Sequence, residues 1–154
     1  MEEIVLRRTN STAPEFRTLV VALDADLRER YGSLMDTYDQ HNVIEQLDTV
    51  VLVFLADVAV GCGCFKTYDA DSVEIKRIFF APEARGKGLS MKLLSELEHW
   101  AQELGFTYAV LETGSKQFEA IGLYEKAGYL EIPNYEPYVG LAESICYKKT
   151  LLVS

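Results

Sequence analysis

Apolar positions change their period along this chain, and each change marks an element. Ile4 to Arg8 reads as a short strand, and Ser11 or Thr12 ahead of Pro14 and Glu15 predicts a helix start. Phe16, Leu19, Val20, Leu23 and Leu27 then recur at helical spacing until Gly32. Ser33 to Asp48 is polar, carries Tyr38, His41 and Asn42, and predicts a loop with a short helical piece around Val43 to Leu47. Thr49 to Leu55 and Ala59 to Thr67 are dense in Val, Phe and Cys and flank a turn containing Asp57, which predicts an antiparallel hairpin. Ser72 to Phe80, after the turn Asp69-Ala70-Asp71, extends it into a meander. From Gly88 the period lengthens to that of a helix, with Leu89, Leu93, Leu94, Leu97, Trp100, Ala101 and Leu104 on one face. Lys92, Glu96, His99 and Glu103 occupy the other, and Gly105 caps the end. Thr107 to Glu112 is a buried strand that, following a crossover helix, should run parallel to Val73–Phe80. A helix over Gln117 to Lys126, stopped by Gly128, and strands at Tyr129 to Ile132 and Ser144 to Leu151 complete the chain. The predicted architecture is α/β, a mixed sheet of about six to seven strands flanked by helices on both faces.

Composition narrows the class. With 154 residues and 49% hydrophobic content, the chain supports one domain over 1–154 around a single core. No apolar run approaches the roughly 18 residues of a membrane span, and Met1-Glu2-Glu3 has the wrong charge for a secretory leader. The expectation is a cytoplasmic protein that does not enter the membrane. Cys62, Cys64 and Cys146 are odd in number and lack zinc-type spacing, so neither a disulfide framework nor a metal site is expected. Cys62 and Cys64 instead share one face of a strand as small apolar residues. A net charge of −9 argues against nucleic acid and acidic membrane surfaces as partners. The sign reverses between Glu74 and Lys92, where Lys76, Arg77, Arg85, Lys87 and Lys92 stand against Glu74 and Glu83.

That positive segment contains Arg85-Gly86-Lys87-Gly88-Leu89-Ser90, placed between a strand and an amphipathic helix. Glycines let a backbone turn tightly and approach a ligand, and the first amides of a helix point outward unpaired, so such a loop suits phosphate. A Walker A loop would need Gly at 81 and Ser or Thr after Lys87, where the chain has Ala81 and Gly88. A dinucleotide fingerprint starting at Gly86 would place its third glycine where Met91 stands. Arg-x-x-Gly-x-Gly/Ala fits Arg85 and Gly88, with Ser90 as a small-residue departure at the last position. A second motif follows in Ala120-Ile121-Gly122-Leu123-Tyr124-Glu125-Lys126-Ala127-Gly128-Tyr129.

Together these resemble the GNAT superfamily of acyl-CoA-dependent N-acetyltransferases, in the family's order and over about Val73 to Leu151. The resemblance implies a GNAT fold with acetyl-CoA as cosubstrate and no metal. Arg85, Gly86, Lys87, Gly88, Leu89 and Ser90 would hold the pyrophosphate. Ile78, Phe79 and Phe80 would splay from the Thr107 strand, pair with the pantetheine arm and offer an amide to the acetyl oxygen. Tyr124 would stand beside the sulfur as general acid.

N-acetylation sets its own demands. A primary amine is protonated at neutral pH and must lose a proton before it attacks a thioester, while the developing oxyanion needs a donor. Glu74 is the candidate base, through water, because it resembles the acidic residue some members carry on this strand; the alternative is that it pairs with Lys76 or Arg77. Glu112, at the carboxyl end of its strand, and Glu119 are further candidates. No spacing ties His41 or His99 to a site, and no Gly-x-Ser-x-Gly elbow supports a triad of Ser115, His99 and Glu112. Tyr31, Tyr38, Tyr135 and Tyr138 are either walls of an acceptor pocket or ordinary half-buried aromatics. The expected reaction is direct acetyl transfer to a primary amine of a small molecule in a ternary complex. A protein lysine or N-terminal acetyltransferase and a non-catalytic CoA-binding domain are the alternatives, and the chain is expected to be a monomer or a homodimer.

Overall fold

The computed structural model describes residues 3–32 and 46–151. Its elements run β1 (Ile4–Thr9), α1 (Pro14–Tyr31), β2 (Val50–Leu55), β3 (Val58–Thr67), β4 (Ser72–Phe80), a 3₁₀ turn (Pro82–Ala84), α2 (Leu89–Glu103), β5 (Tyr108–Gly114), α3 (Phe118–Lys126), β6 (Leu130–Ile132) and β7 (Ser144–Thr150). The seven strands form one mixed sheet in the order β1-β2-β3-β4-β5-β7-β6. The predicted elements are found to within two residues at their ends. The helical piece expected around Val43 to Leu47, with Tyr38, His41 and Asn42, falls largely outside the described residues. Contacts divide the chain into two units, one holding the residues through Cys64 with Arg77–Glu96, the other Phe65–Lys76 with Leu97 onward.

In the first unit β1 and β2 pair antiparallel from Ile4↔Leu55 to Thr9↔Val50, and β2 pairs antiparallel with β3. Ala56 and Asp57 make the hairpin turn with φ of 50° and 68°, the left-handed conformation that matches the twist of a two-residue loop. Helix α1 buries Phe16, Leu19, Val20 and Leu23 against Val50, Leu52, Cys62, Cys64 and Phe79, so Cys62 and Cys64 do share the core face. Neither Ser11 nor Thr12 caps α1, which begins at Pro14 behind Ala13. Ser11 is buried, and its Oγ accepts the Leu47 N–H at 2.8 Å while its own N–H donates to the Leu47 carbonyl at 2.8 Å. The Thr12 N–H donates to Asn10 Oδ1 at 2.9 Å. Both polar groups were claimed by the chain around the helix start, and Pro14, with its preset φ and missing donor, opens the helix without them.

In the second unit β4 runs parallel to β5 over Ser72↔Tyr108 to Ile75↔Leu111. The β7 strand pairs antiparallel with both β5 and β6. Leu97 and Ala101 of α2 are buried, and Trp100 meets Phe65 edge-on at 5.7 Å between ring centroids. Leu104 departs from the expected apolar face: the helix ends at Glu103 and Leu104 is 54% exposed. No helix among the described residues is long and apolar enough to cross a membrane, and none of their His, Cys, Asp and Glu side chains group as a metal site.

Candidate functional site

In the first unit the meander ends at a strained strand and an exposed loop. Arg77 sits inside β4 at φ 63°, a left-handed conformation costly for a non-glycine residue. Its side chain is nearly buried and donates to Asp24 Oδ1 at 2.9 Å, and its carbonyl accepts the Cys62 thiol at 3.3 Å. Burial pushes that thiol far up its range, which suits a packing residue and not a nucleophile. Beyond Arg77, Ile78 is half-buried and Phe79 and Phe80 are buried. Gly61 makes room for the Phe80 ring, because a Cβ there would lie 2.3 Å from Phe80 Cε1.

Residues 85–88 are exposed, Leu89 is buried and Ser90 is half-buried. Gly86 and Gly88 take φ of 77° and 74°, and a Cβ at either would meet nothing within 4 Å. Glycine is therefore required here by conformation and not by packing. The loop feeds directly into α2, whose opening amides have no partner within the helix. Arg85 folds back on the strand end: its Nε donates to the Phe80 carbonyl at 2.9 Å and its guanidinium lies 5.5 Å from the Phe79 ring centre. The positive segment read from sequence is thus divided, with Arg77 matched to Asp24 and Lys76 belonging to the second unit. Lys87 and Lys92 remain as exposed cations of the first unit, beside Arg85.

In the second unit two carboxylates share a sheet face, since Glu74 pairs in register with Val110 and Glu112 follows two residues later on β5. Glu74 is 4% exposed, and its Oε2 accepts the Tyr135 hydroxyl at 2.8 Å. It does not pair with Arg77. Burial and the adjoining Glu74 charge push the Tyr135 phenol far up, so it stays a donor. Tyr135 is held edge-on between Tyr68 at 5.0 Å and Tyr138 at 5.6 Å. Asn134 supports the segment by donating to the carbonyls of Tyr138 and Ser144.

Glu112 is half-buried, and its Oε2 accepts the Ser144 hydroxyl at 2.7 Å. Its carboxyl is raised to about 7 by burial, helped by the nearby Glu74 charge and opposed by Ser144 and Lys76. Ser144 had no signal in the sequence; only the β5–β7 register, Gly114↔Ser144 and Glu112↔Cys146, brings it there. The Cys146 thiol rises to about 11 through burial, with Glu112 and Glu74 adding to the rise.

Tyr124 projects from α3 and is 7% exposed, with Tyr129 and Tyr147 at centroid distances of 5.9 and 6.2 Å. Burial first, and then the Glu112 charge, drive its phenol well above the ordinary tyrosine range, so it is protonated throughout neutral pH. The Tyr129 hydroxyl donates to Glu98 at 2.8 Å, and Lys149 reaches Glu98 at 2.9 Å. His99 and Glu119 are exposed, and Ser115 donates to Glu143 by a short hydrogen bond, which leaves no serine triad.

The model of the Acetyltransferase (GNAT) family matches residues 16–129. The IAA acetyltransferase of Azospirillum brasilense is 31% identical over 125 residues, covering 77% of this chain and 82% of that protein. A solved structure from Klebsiella pneumoniae, assigned to the acyl-CoA N-acyltransferases, superposes with a TM-score of 0.75 at 31% identity over 99% of both chains. A GNAT family acetyltransferase from Elizabethkingia anophelis, solved with acetyl-CoA bound, shares the fold at a TM-score of 0.68 and 19% identity, covering 96% of this chain and 98% of that one. With the family model spanning well over half its length, this chain is a member of the GNAT acetyltransferase family.

Proposed function

We propose that the protein transfers the acetyl group of acetyl-CoA to a primary amine of a small molecule by direct attack in a ternary complex. The observation that carries this reading is the loop of Gly86 and Gly88, both left-handed and unobstructed, leading into α2 in a chain that also buries Tyr124 at the family's motif position. Acetyl-CoA supplies an activated acetyl thioester. The loop amides from Gly86 to Ser90, with Lys87 alongside, would hold its pyrophosphate. A backbone amide of Ile78–Phe80 would donate to the acetyl oxygen as negative charge develops there.

The acceptor's proton goes to a carboxylate of the second unit: Glu74 is the base the resemblance names, and Glu112 shares its face. Tyr124 donates to the sulfur as the carbon–sulfur bond breaks. Its raised affinity for protons makes complete transfer unfavourable, so the phenol gives up its proton only as the nitrogen returns one.

Calorimetric titration of acetyl-CoA, followed by assay of released CoA thiol with putrescine, phenethylamine, lysine and a lysine-containing peptide, tests the reading. Micromolar binding with turnover on a small amine supports it. Turnover on the peptide alone would make the protein a protein acetyltransferase, binding with no turnover would leave a CoA-binding domain, and no binding would remove the cosubstrate.

A further inference from the structure

We propose that Asp24 of α1 is a positioning residue for acetyl transfer: by gripping the Arg77 guanidinium it keeps the Arg77 backbone left-handed, and so aims the amides that follow at the acetyl oxygen. This rests on the acetyltransferase reading above and gives α1 a part in it.

Arg77 is the backbone outlier of β4. It takes φ of 63° inside the strand, and arginine has no short polar side chain to bond its own backbone there, as Asn or Asp does. A residue in that conformation persists only where its surroundings hold it. Asp24 Oδ1 accepts a hydrogen bond from Arg77 Nη1 at 2.9 Å, across 53 residues of sequence. The Arg77 side chain is 8% exposed, and a cation so enclosed is costly without its counter-charge. The Asp24 side chain is 47% exposed, so it contributes this contact and little core packing.

The rest of the segment is fixed to match. The Arg77 carbonyl accepts the Cys62 thiol at 3.3 Å, and Phe79 lies in the core cluster that α1 builds with Leu23, the neighbour of Asp24. The Ala81 N–H donates to the Val60 carbonyl at 2.8 Å, and Arg85 Nε holds the Phe80 carbonyl at 2.9 Å. All these residues belong to the first unit. Alternate amides of a strand point to one edge, so with Ala81 bonded to β3, the Phe79 amide shares that side and the amides of Ile78 and Phe80 point away from it. Where those two amides aim is set by the turn of the backbone at Arg77. An oxyanion donor must be aimed before charge develops, and a misplacement of about 1 Å costs roughly 10²-fold.

The test is kcat, read as CoA thiol release at saturating acetyl-CoA with whichever amine of the panel above turns over. Arg77→Leu removes the guanidinium and keeps a side chain that resists the left-handed conformation, whereas Arg77→Gly removes the guanidinium and adopts that conformation freely. Asp24→Ala and Arg77→Leu should each lower kcat by roughly 10-fold, with acetyl-CoA affinity changing less. Arg77→Gly should recover most of that loss, and adding Asp24→Ala to it should cost nothing more, because the carboxylate then has nothing to hold. A merely structural ion pair would make Arg77→Gly the worst of the three, since it loses the contact and also frees the backbone.

Backbone carbon chemical shifts of residue 77 read the conformation without turnover, and they should be left-handed in wild type and displaced in Asp24→Ala. Left-handed shifts retained in Asp24→Ala, or kcat lost equally in Arg77→Gly and Arg77→Leu, overturn the positioning role and leave the acetyltransferase reading standing. Wild type that binds acetyl-CoA but acetylates no amine overturns that reading and this role with it.

Discussion

Between Arg85 and Ser90 the first unit presents backbone amides whose direction is set by two left-handed glycines; around Glu112 the second unit presents side-chain oxygens whose charge depends on their surroundings. The loop is exposed and holds no His, Cys or carboxylate between Arg85 and Ser90, so its affinity for an anion should vary little with pH. The carboxylate face is enclosed by Tyr135, Ser144 and Lys76, and its chemistry should follow pH closely. Backbone sites of the first kind break when conformation changes, and side-chain sites of the second kind break when one atom changes. The same chain therefore offers separate handles on binding and on turnover.

The largest effect should come from the loop. Gly88→Glu places a side chain at φ 74°, which costs about 1–2 kcal/mol for an L-residue, and aims a carboxylate at the proposed pyrophosphate position. The strain weighs on stability; like-charge juxtaposition costs several kcal/mol, so at about 1.4 kcal/mol per decade the repulsion should weaken acetyl-CoA by about 10²-fold or more in calorimetry. A Cβ there meets nothing within 4 Å, so the variant should stay folded, and unchanged affinity would remove the loop from the binding site.

Tyr124→Phe is the complementary cut. It keeps the ring that packs beside Tyr129 and Tyr147 and removes only the hydroxyl. Turnover should fall by about 10²-fold with acetyl-CoA affinity little altered. Loss of affinity with intact turnover per bound complex would mean that the phenol packs and does not donate.

A second glycine sharpens the contrast. Gly61 is required by packing where Gly88 is required by conformation, since its Cβ would lie 2.3 Å from the Phe80 ring. Gly61→Ala should therefore cost stability, about 1–3 kcal/mol as overpacking in a core, measured by urea unfolding. A neutral result would show that Phe80 has somewhere else to go.

These features differ in how far the sequence discloses them. The glycine loop was legible because local spacing carries its turn, as were the core face of α1 and the placement of Cys62 and Cys64 on one strand face, whereas Tyr124 stood out only through the motif that resembles the family's. The left-handed conformation of Arg77 inside β4 was not, because its stabilising partners, Asp24 and the Cys62 thiol, lie 53 and 15 residues away in sequence. Tyr135 with Glu74 and Ser144 with Glu112 are separated by 61 and 32 residues, so no local pattern announces them. Ser11 looked like a helix cap because its type suits one, yet tertiary pairing with Leu47 took the hydroxyl. What period and spacing encode was visible; what register assembles was not.

The smallest effect bears directly on the carboxylate face. A carboxyl that is ordinary when unfolded, near 4.5, and raised to about 7 when folded keeps its proton in the native state over the pH range where the unfolded chain has already lost it. Between those values the unfolded state binds fewer protons, so stability falls as pH rises, and it levels off once both states are ionised. Below the unfolded value the penalty is absent. At about 1.4 kcal/mol per pH unit the ceiling is about 3 kcal/mol, and solvent at a half-buried group should reduce it to about 1 kcal/mol. Urea unfolding of wild type and Glu112→Gln at pH 4.5, 6 and 7.5 isolates it, because other titrating groups cancel in the difference. Wild type should lose ground to the variant across that range; a constant difference would mean that Glu112 ionises as it does in the unfolded chain, leaving Glu74 as the only carboxylate of the pair with a burial that sets it apart.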